Sequence, residues 1–211
     1  VYAVLLLGIQ SKENSEYYHF REPLIGEAAA LQLGKDTEHI TPEELTALTT
    51  LVLAGDTPLQ SWDELLVYSS ELQTQSTTIT IRGTVTSLDD LAQMPKLETL
   101  ALCNQQLTDL SPLAGLPLRR LDVHGNQLTD LSPLFELTGL KVIRIVSDPK
   151  ISAAQIEELQ EHLPDTTFLL EGWAPHMNGW RYDDDGNMTE WYARLREQMD
   201  YADEGAYTDI R

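Results

Sequence analysis

Leucines recur at fixed offsets through the middle of this chain. Residues 100–116 read LALCNQQLTDLSPLAGL and residues 121–137 read LDVHGNQLTDLSPLFEL, so one stretch repeats the other after 21 positions. In the second copy the constrained positions are Leu118, Leu121, Val123, Asn126, Leu128, Leu131, Ser132, Pro133, Leu134 and Leu137. The x-L-x-L-x alternation predicts a short strand with one buried face. A unit of this length cannot bury its apolar face alone, so the copies stack and their strands form a parallel sheet. After each strand an Asn-type slot turns the chain, and a buried side chain there can satisfy backbone groups of adjacent turns. The slot holds Thr84, Gln105, Asn126 and Asp148, which predicts an irregular ladder. Ser-Pro at 111–112 and 132–133 predicts a short helical turn, with Ser as the cap and Pro at the first helical position. One long amphipathic helix is ruled out, because those prolines would recur inside it.

Weaker copies flank the pair. Ile79, Ile81, Val85, Leu88, Leu91 and Met94 fill the same slots upstream, and Leu48, Leu51, Leu53, Leu59 and Trp62 suggest an earlier, degenerate unit. Downstream, Leu140, Ile143, Ile145 and Asp148 begin another unit, with a helical return arm over 152–162 and a last strand within 163–170. Five or six short strands are expected, one per rung.

Over residues 97–140 the pattern resembles the bacterial leucine-rich repeats of the internalin type. The resemblance implies an α/β leucine-rich repeat solenoid: a curved parallel sheet with short helical or 3-10 return arms. Residues 20–45 resemble the helical lead-in of such proteins. Leu24, Ala28, Leu31 and Leu33 form an apolar stripe, Gly34 ends it, and Thr41, Pro42 and Glu44 start a second short helix. The expected division is an N-terminal cap over 1–47, the solenoid over 48–171 and an aromatic C-terminal cap over 172–211. That last segment carries Trp173, Trp180 and Trp191, and a helix is expected over 190–200 with Thr189 as its N-cap. The run DDDGN at 183–187 lacks the spacing and the closing Glu of a calcium loop and reads as a solvated turn.

Charge narrows the choice of partners. The chain has 34 acidic and 14 basic residues, a formal net charge of −20. Such a charge repels phosphate backbones and anionic lipid, which argues against nucleic acid. The opening VYAVLLLGI reads as a strand or capping segment, the alternative being the cut edge of an exported precursor. No apolar run approaches the ~20 residues that span a bilayer, and the chain reads as a piece of a longer gene product. A single cysteine excludes an internal disulfide framework. The resemblance implies export or display at a bacterial surface.

A solenoid of this type leaves the outward strand positions free, and there binding is expected. Rung by rung they are Thr50, Val52, Ala54; Thr78, Thr80, Arg82; Thr99, Ala101, Cys103; Arg120, Asp122, His124; Val142, Arg144, Val146; and Thr167, Leu169, Glu171. Arg82, Arg120, His124 and Arg144 reverse the sign of an acidic chain on this face, which suits an acidic segment of a protein partner; the alternative is that these arginines pair with Asp122, Glu171 and their neighbours and merely solubilise the face. Cys103 and His124 occupy one column ~5 Å apart. A Cys-His hydrolase is nevertheless disfavoured, because Asp122 stands two positions along the strand and an open sheet offers no oxyanion donor. One Cys and one His are too few ligands for a metal. The expected function is therefore a monomeric, cofactor-free protein-interaction module using the concave face at Arg82, Thr99, Ala101, Cys103, Arg120, Asp122, His124, Arg144 and Val146. The alternative is a spacer or stalk that binds nothing in particular.

Overall fold

The structure, a computed structural model, describes residues 16–65, 82–145 and 150–169. The expected opening strand, Thr78, Thr80, Val146, Asp148, Glu171, the acidic turn and the aromatic tail lie outside these residues.

The alternation builds the strands the repeat requires. They are β1 (Thr50–Ala54), β2 (Thr57–Leu59), β3 (Thr99–Cys103), β4 (Arg120–Asp122), β5 (Val142–Arg144) and β6 (Thr167–Phe168), in the sheet order β2-β1-β3-β4-β5-β6. Strands β1, β3, β4, β5 and β6 run parallel, and β2 turns back antiparallel along β1. Leu51, Leu53, Leu100, Leu102, Leu121, Val123, Ile143 and Ile145 point to one side and are fully buried. They meet the return-arm residues Leu107, Leu110, Leu113, Leu128, Leu131 and Leu134 in a continuous core. Each such side chain stabilises the fold by roughly 1.5–3 kcal/mol.

The side-chain ladder is irregular: Asn126 and Gln105 serve it, Thr84 is exposed, and Asp148 lies outside the described residues. Asn126 Nδ2 donates to the carbonyls of Leu102 (2.9 Å) and Val123 (2.7 Å), and its Oδ1 accepts from the Leu107 N–H. Gln105 serves in the same way on the preceding rung, donating to Gly55 and Cys103 and accepting from the Val85 N–H at 3.2 Å. The Ser-Pro turns are short 3-10 helices, Ser111–Leu113 and Ser132–Leu134, but serine is not their cap. Asp109 and Asp130 act instead, each accepting from the backbone N–H and the hydroxyl of the serine two residues on. Ser already lies inside the turn, so the acceptor has to come from the preceding Asp.

One rung differs from its expected form. β1 pairs directly with β3, Thr50 opposite Thr99 and Ala54 opposite Cys103, so no strand intervenes between them. Val85 instead occupies the Leu107 slot: its carbonyl accepts from the Gln106 N–H as that of Leu107 accepts from the Gln127 N–H. What read as two rungs is one, with its strand at 50–54 and its return arm at 85–97. Leu53 and Val85 are 32 positions apart where Leu102 and Leu107 are 5 apart, so about 27 residues are inserted after β1. The chain rejoins the repeat at Gly83, whose N–H donates to the Asn104 carbonyl. A Cβ there would overlap the Gln105 side chain and the Gly55 carbonyl, so the close approach requires glycine.

Ahead of β1, α1 (Pro23–Leu33) starts on a proline and ends at Gly34 in the left-handed region, and α2 (Pro42–Leu45) carries a Thr41–Glu44 capping box. α1 packs against β1 and β2 and adds Ile25, Ala28 and Ala29 to the core. Its N-terminus is held from far away in sequence. The fully buried Asp90 carboxylate accepts from the Tyr18 hydroxyl (2.8 Å) and from the backbone N–H groups of Arg21 and Glu22. Glu22 in turn accepts from Thr86 and Ser87. Asp90→Ala is expected to lower the unfolding free energy by about 2 kcal/mol through these orphaned donors, read as a lower urea midpoint. An unchanged midpoint would mean that the segment before α1 is held by other contacts.

After β5, α3 (Ala153–His162) begins at a Ser152–Gln155 capping box, and Gln155 donates to the Thr129 carbonyl of the previous arm. His162 stacks on Phe135 with ring centroids 3.9 Å apart. Among the described residues no helix is long and apolar enough to cross a membrane.

Candidate functional site

The register lays the outward positions out in rows. The first row is Thr50, Thr99, Arg120, Val142 and Thr167, each opposite the next. All are at least partly exposed, Arg120 most clearly. The second row, Val52, Ala101, Asp122 and Arg144, is buried throughout, at 0%, 0%, 1% and 7% exposure. Cys103, in the third row, is fully buried and His124 beside it is half-buried.

This corrects the expectation of a free face: Ala101, Cys103, Asp122 and Arg144 are not contact surface. The inserted segment supplies the reason for the first columns. Leu59, Trp62 and Leu65 form a second apolar cluster with Val52, Ala54, Ala101 and Cys103, on the side of the sheet away from the return arms. Here the sheet is buried on both faces, as parallel sheets ordinarily are. Arg82 also leaves the expected patch. It is exposed, but it lies in the returning end of the insertion and not on a strand beside Thr99. Val146 lies outside the described residues. Of the nine expected contact residues, Thr99 and Arg120 share the accessible row, and His124 stands at its inner margin.

The buried polar residues form one network centred on Asp122. Its Oδ1 accepts from His124 Nδ1 at 2.6 Å and from the His124 backbone N–H at 3.1 Å. Oδ2 lies 3.5 Å from Arg144 Nη1. Asp122 thus does orient the imidazole, contrary to the expectation from strand spacing. β4 ends at Asp122 and the chain turns at His124–Gly125, so the ring folds back over the carboxylate. Burial pushes the Asp122 carboxyl up, but the neighbouring imidazole, its hydrogen bonds and the guanidinium outweigh this and hold it below the usual range.

A Cys-Asp-His set invites a catalytic or metal reading, and its electrostatics oppose both. Burial, then the Asp122 charge, push the Cys103 thiol well above its usual range, so the sulfur is a protonated, enclosed thiol and not a nucleophile. The three ligand atoms lie within 4.8 Å of one another. The cationic Arg144 already sits against the carboxylate that a dication would need, so the donor set fits a metal poorly. Arg144 Nε is buried with no hydrogen-bond partner. That makes the network a costly one to disturb.

Two further basic residues are not singled out by the repeat pattern. Arg119 and Lys141 precede the outward row by one position, Lys141 being hydrogen-bonded to Arg119 through its backbone N–H at 2.8 Å. Arg119 lies 3.6 Å from Glu98, both side chains at least half exposed. Strand periodicity alone assigns these positions inward, but each lies just before its strand begins, where the alternation no longer holds.

No protein-family model and no curated protein matches this chain. Among solved structures it is similar to an internalin, InlF, of Listeria monocytogenes, with 24% identity over 71% of this chain and 43% of that one and a TM-score of 0.48. It is also similar to internalin C2 of the same organism, with 18% identity over 71% of this chain and 94% of that one and a TM-score of 0.35. A leucine-rich repeat protein of Leptospira interrogans matches at 16% identity over 62% of this chain and 51% of that one, with a TM-score of 0.26. The chain spans less than half the length of the first of these. The chain is thus similar to solved bacterial proteins, two of them internalins and one a leucine-rich repeat protein.

Proposed function

We propose that this chain is a non-enzymatic protein-interaction module of an exported or surface-displayed bacterial protein, acting through the accessible first row of its concave face. The observation that carries the reading is the contrast between rows. The interior rows are sealed by apolar packing and by the buried Asp122–His124–Arg144 network, whereas Thr50, Thr99, Arg120, Val142 and Thr167 stay at least partly accessible in one row. Val142 packs in part against the second apolar cluster, but the side chains of Thr50, Thr99, Arg120 and Thr167 belong to neither core cluster, so their composition is free to serve a partner. Enclosure of Cys103 leaves the alternative of thiol hydrolysis without an accessible nucleophile.

Photo-crosslinking tests this directly. A photoreactive residue is placed at Thr99 or Thr167 on the row, and at Thr108 or Thr129 on the exposed return arms. Incubation with bacterial-surface and host-cell extracts is expected to give a specific crosslinked species from the row positions alone. Crosslinks confined to Thr108 and Thr129 would move the interface to the opposite side, and none at any position would favour a spacer.

A further inference from the structure

The geometry points to an extended acidic peptide as the ligand of this face, with Arg119, Arg120 and Lys141 binding its carboxylates; this names the partner class and rests on the interaction reading above. The three cations come together through backbone pairing. The Arg119 N–H donates to the Glu98 carbonyl and the Lys141 N–H to the Arg119 carbonyl, so Glu98, Arg119 and Lys141 form one line across three rungs. Neighbouring rungs stand about 4.8 Å apart. Arg120 follows Arg119 directly and points outward from the first row.

Charge is sorted across the molecule. Of the six Lys and Arg residues between 82 and 145, four, Lys96, Arg119, Arg120 and Lys141, lie at or just before the strand starts. The return arms on the other side expose Asp89, Asp109, Asp130 and Glu136 instead. A local cationic strip on a chain of net charge −20 attracts an anionic segment at close range while the remainder repels bulk polyanions. Among the described residues no acidic group lies within 4.0 Å of Arg120 or Lys141. The Glu98–Arg119 pair is solvent-exposed, and such pairs contribute about 0–1 kcal/mol, so a partner's carboxylate can displace it.

The remaining groups favour peptide over other anions. Guanidinium groups match carboxylates two hydrogen bonds at a time, and the hydroxyls of Thr50, Thr99 and Thr167 offer donors and acceptors along the same row. Nucleic acid would need a ring to stack on, and the row holds none. Both nucleic acid and an anionic bilayer would also bring their full charge against the acidic return arms.

The test is fluorescence anisotropy of a labelled octaglutamate peptide titrated with the intact chain. Saturable binding is expected, weakening several-fold as salt rises from about 50 to about 300 mM. The double variant Arg120→Glu/Lys141→Glu is expected to weaken it about tenfold or more, with an unchanged melting temperature because both side chains are exposed. Thr99→Glu, which adds a negative charge to the same row, should lose a similar factor, while Arg82→Glu should stay within about twofold of the unaltered chain. Equal binding by the double variant, equal loss with Arg82→Glu, or equal competition by a single-stranded oligonucleotide or phosphatidylserine vesicles would each overturn the proposal. The two readings fail separately. A crosslink from Thr99 that survives Arg120→Glu/Lys141→Glu keeps the interaction face and removes its acidic ligand, whereas octaglutamate binding without any row crosslink does the reverse.

Discussion

Asp122→Ala is expected to lower the unfolding free energy by about 3–5 kcal/mol, because it leaves the buried guanidinium of Arg144 and the His124 ring without their common acceptor. Chemical denaturation reads this as a shift of midpoint at constant slope. A smaller loss is expected for Asp122→Leu combined with Arg144→Met, since removing both charges abolishes the desolvation penalty that removing one exposes. If the double variant is no better than the single one, the carboxylate acts through something other than Arg144. The network also sets a sign for pH. The Asp122 carboxyl is held below its ordinary value of 3.8 in the folded chain. Its contribution is therefore fully present above that value, where the unfolded chain is ionised too. It is lost as pH falls below 3.8 toward the folded-state value. Acid unfolding should accordingly begin at higher pH for Asp122→Ala than for a variant at an exposed carboxylate such as Glu136.

Much of the fold was legible because its rules are local. A period of 21, two leucines per strand and a proline after each serine suffice to assign β3, β4, their return arms and the inward register of Leu100, Leu102, Leu121 and Val123. Gly34 and the Thr41–Glu44 pair likewise carry their own capping chemistry. The insertion was not legible, for a specific reason. Leu51 and Leu53 satisfy the strand half of the repeat, Val85, Leu88 and Leu91 satisfy the return half, and the residues between contain enough leucine, isoleucine and tryptophan to complete either half. Only the pairing of Thr50 with Thr99, a contact 49 positions apart, reveals that the halves belong together. The candidate site is hidden in the sequence for the same reason. An uninterrupted solenoid would have left Ala101 and Cys103 in solvent, whereas the inserted apolar side chains lie on them. The contact of Asp122 with His124 is hidden for a smaller reason: ideal strand spacing separates them, but the strand ends between them.

Trp62→Ala should give the other large effect, a loss of about 3–5 kcal/mol, as for other buried tryptophans cut to the Cβ. Trp62 is 7% exposed and belongs to the cluster that includes Val52, Ala54, Ala101 and Cys103. None of these four is large, and two are alanines, so little is available to collapse into the space that the indole vacates. The same substitution supplies a chemical readout. Cys103 is the single cysteine of the chain, fully buried and kept protonated, so it should react with a disulfide reagent in the native state only on global unfolding. In Trp62→Ala its labelling should accelerate well beyond what the lowered global stability accounts for, because the cover over the sheet then opens locally. Labelling that tracks the unfolding free energy alone, with the same slope as for Asp90→Ala, would show that Trp62 stabilises the chain without enclosing the thiol. Fast labelling of the unaltered protein would be the more damaging result. It would mean that the insertion does not close over β1 and β3, and that the second and third rows are open to a partner after all.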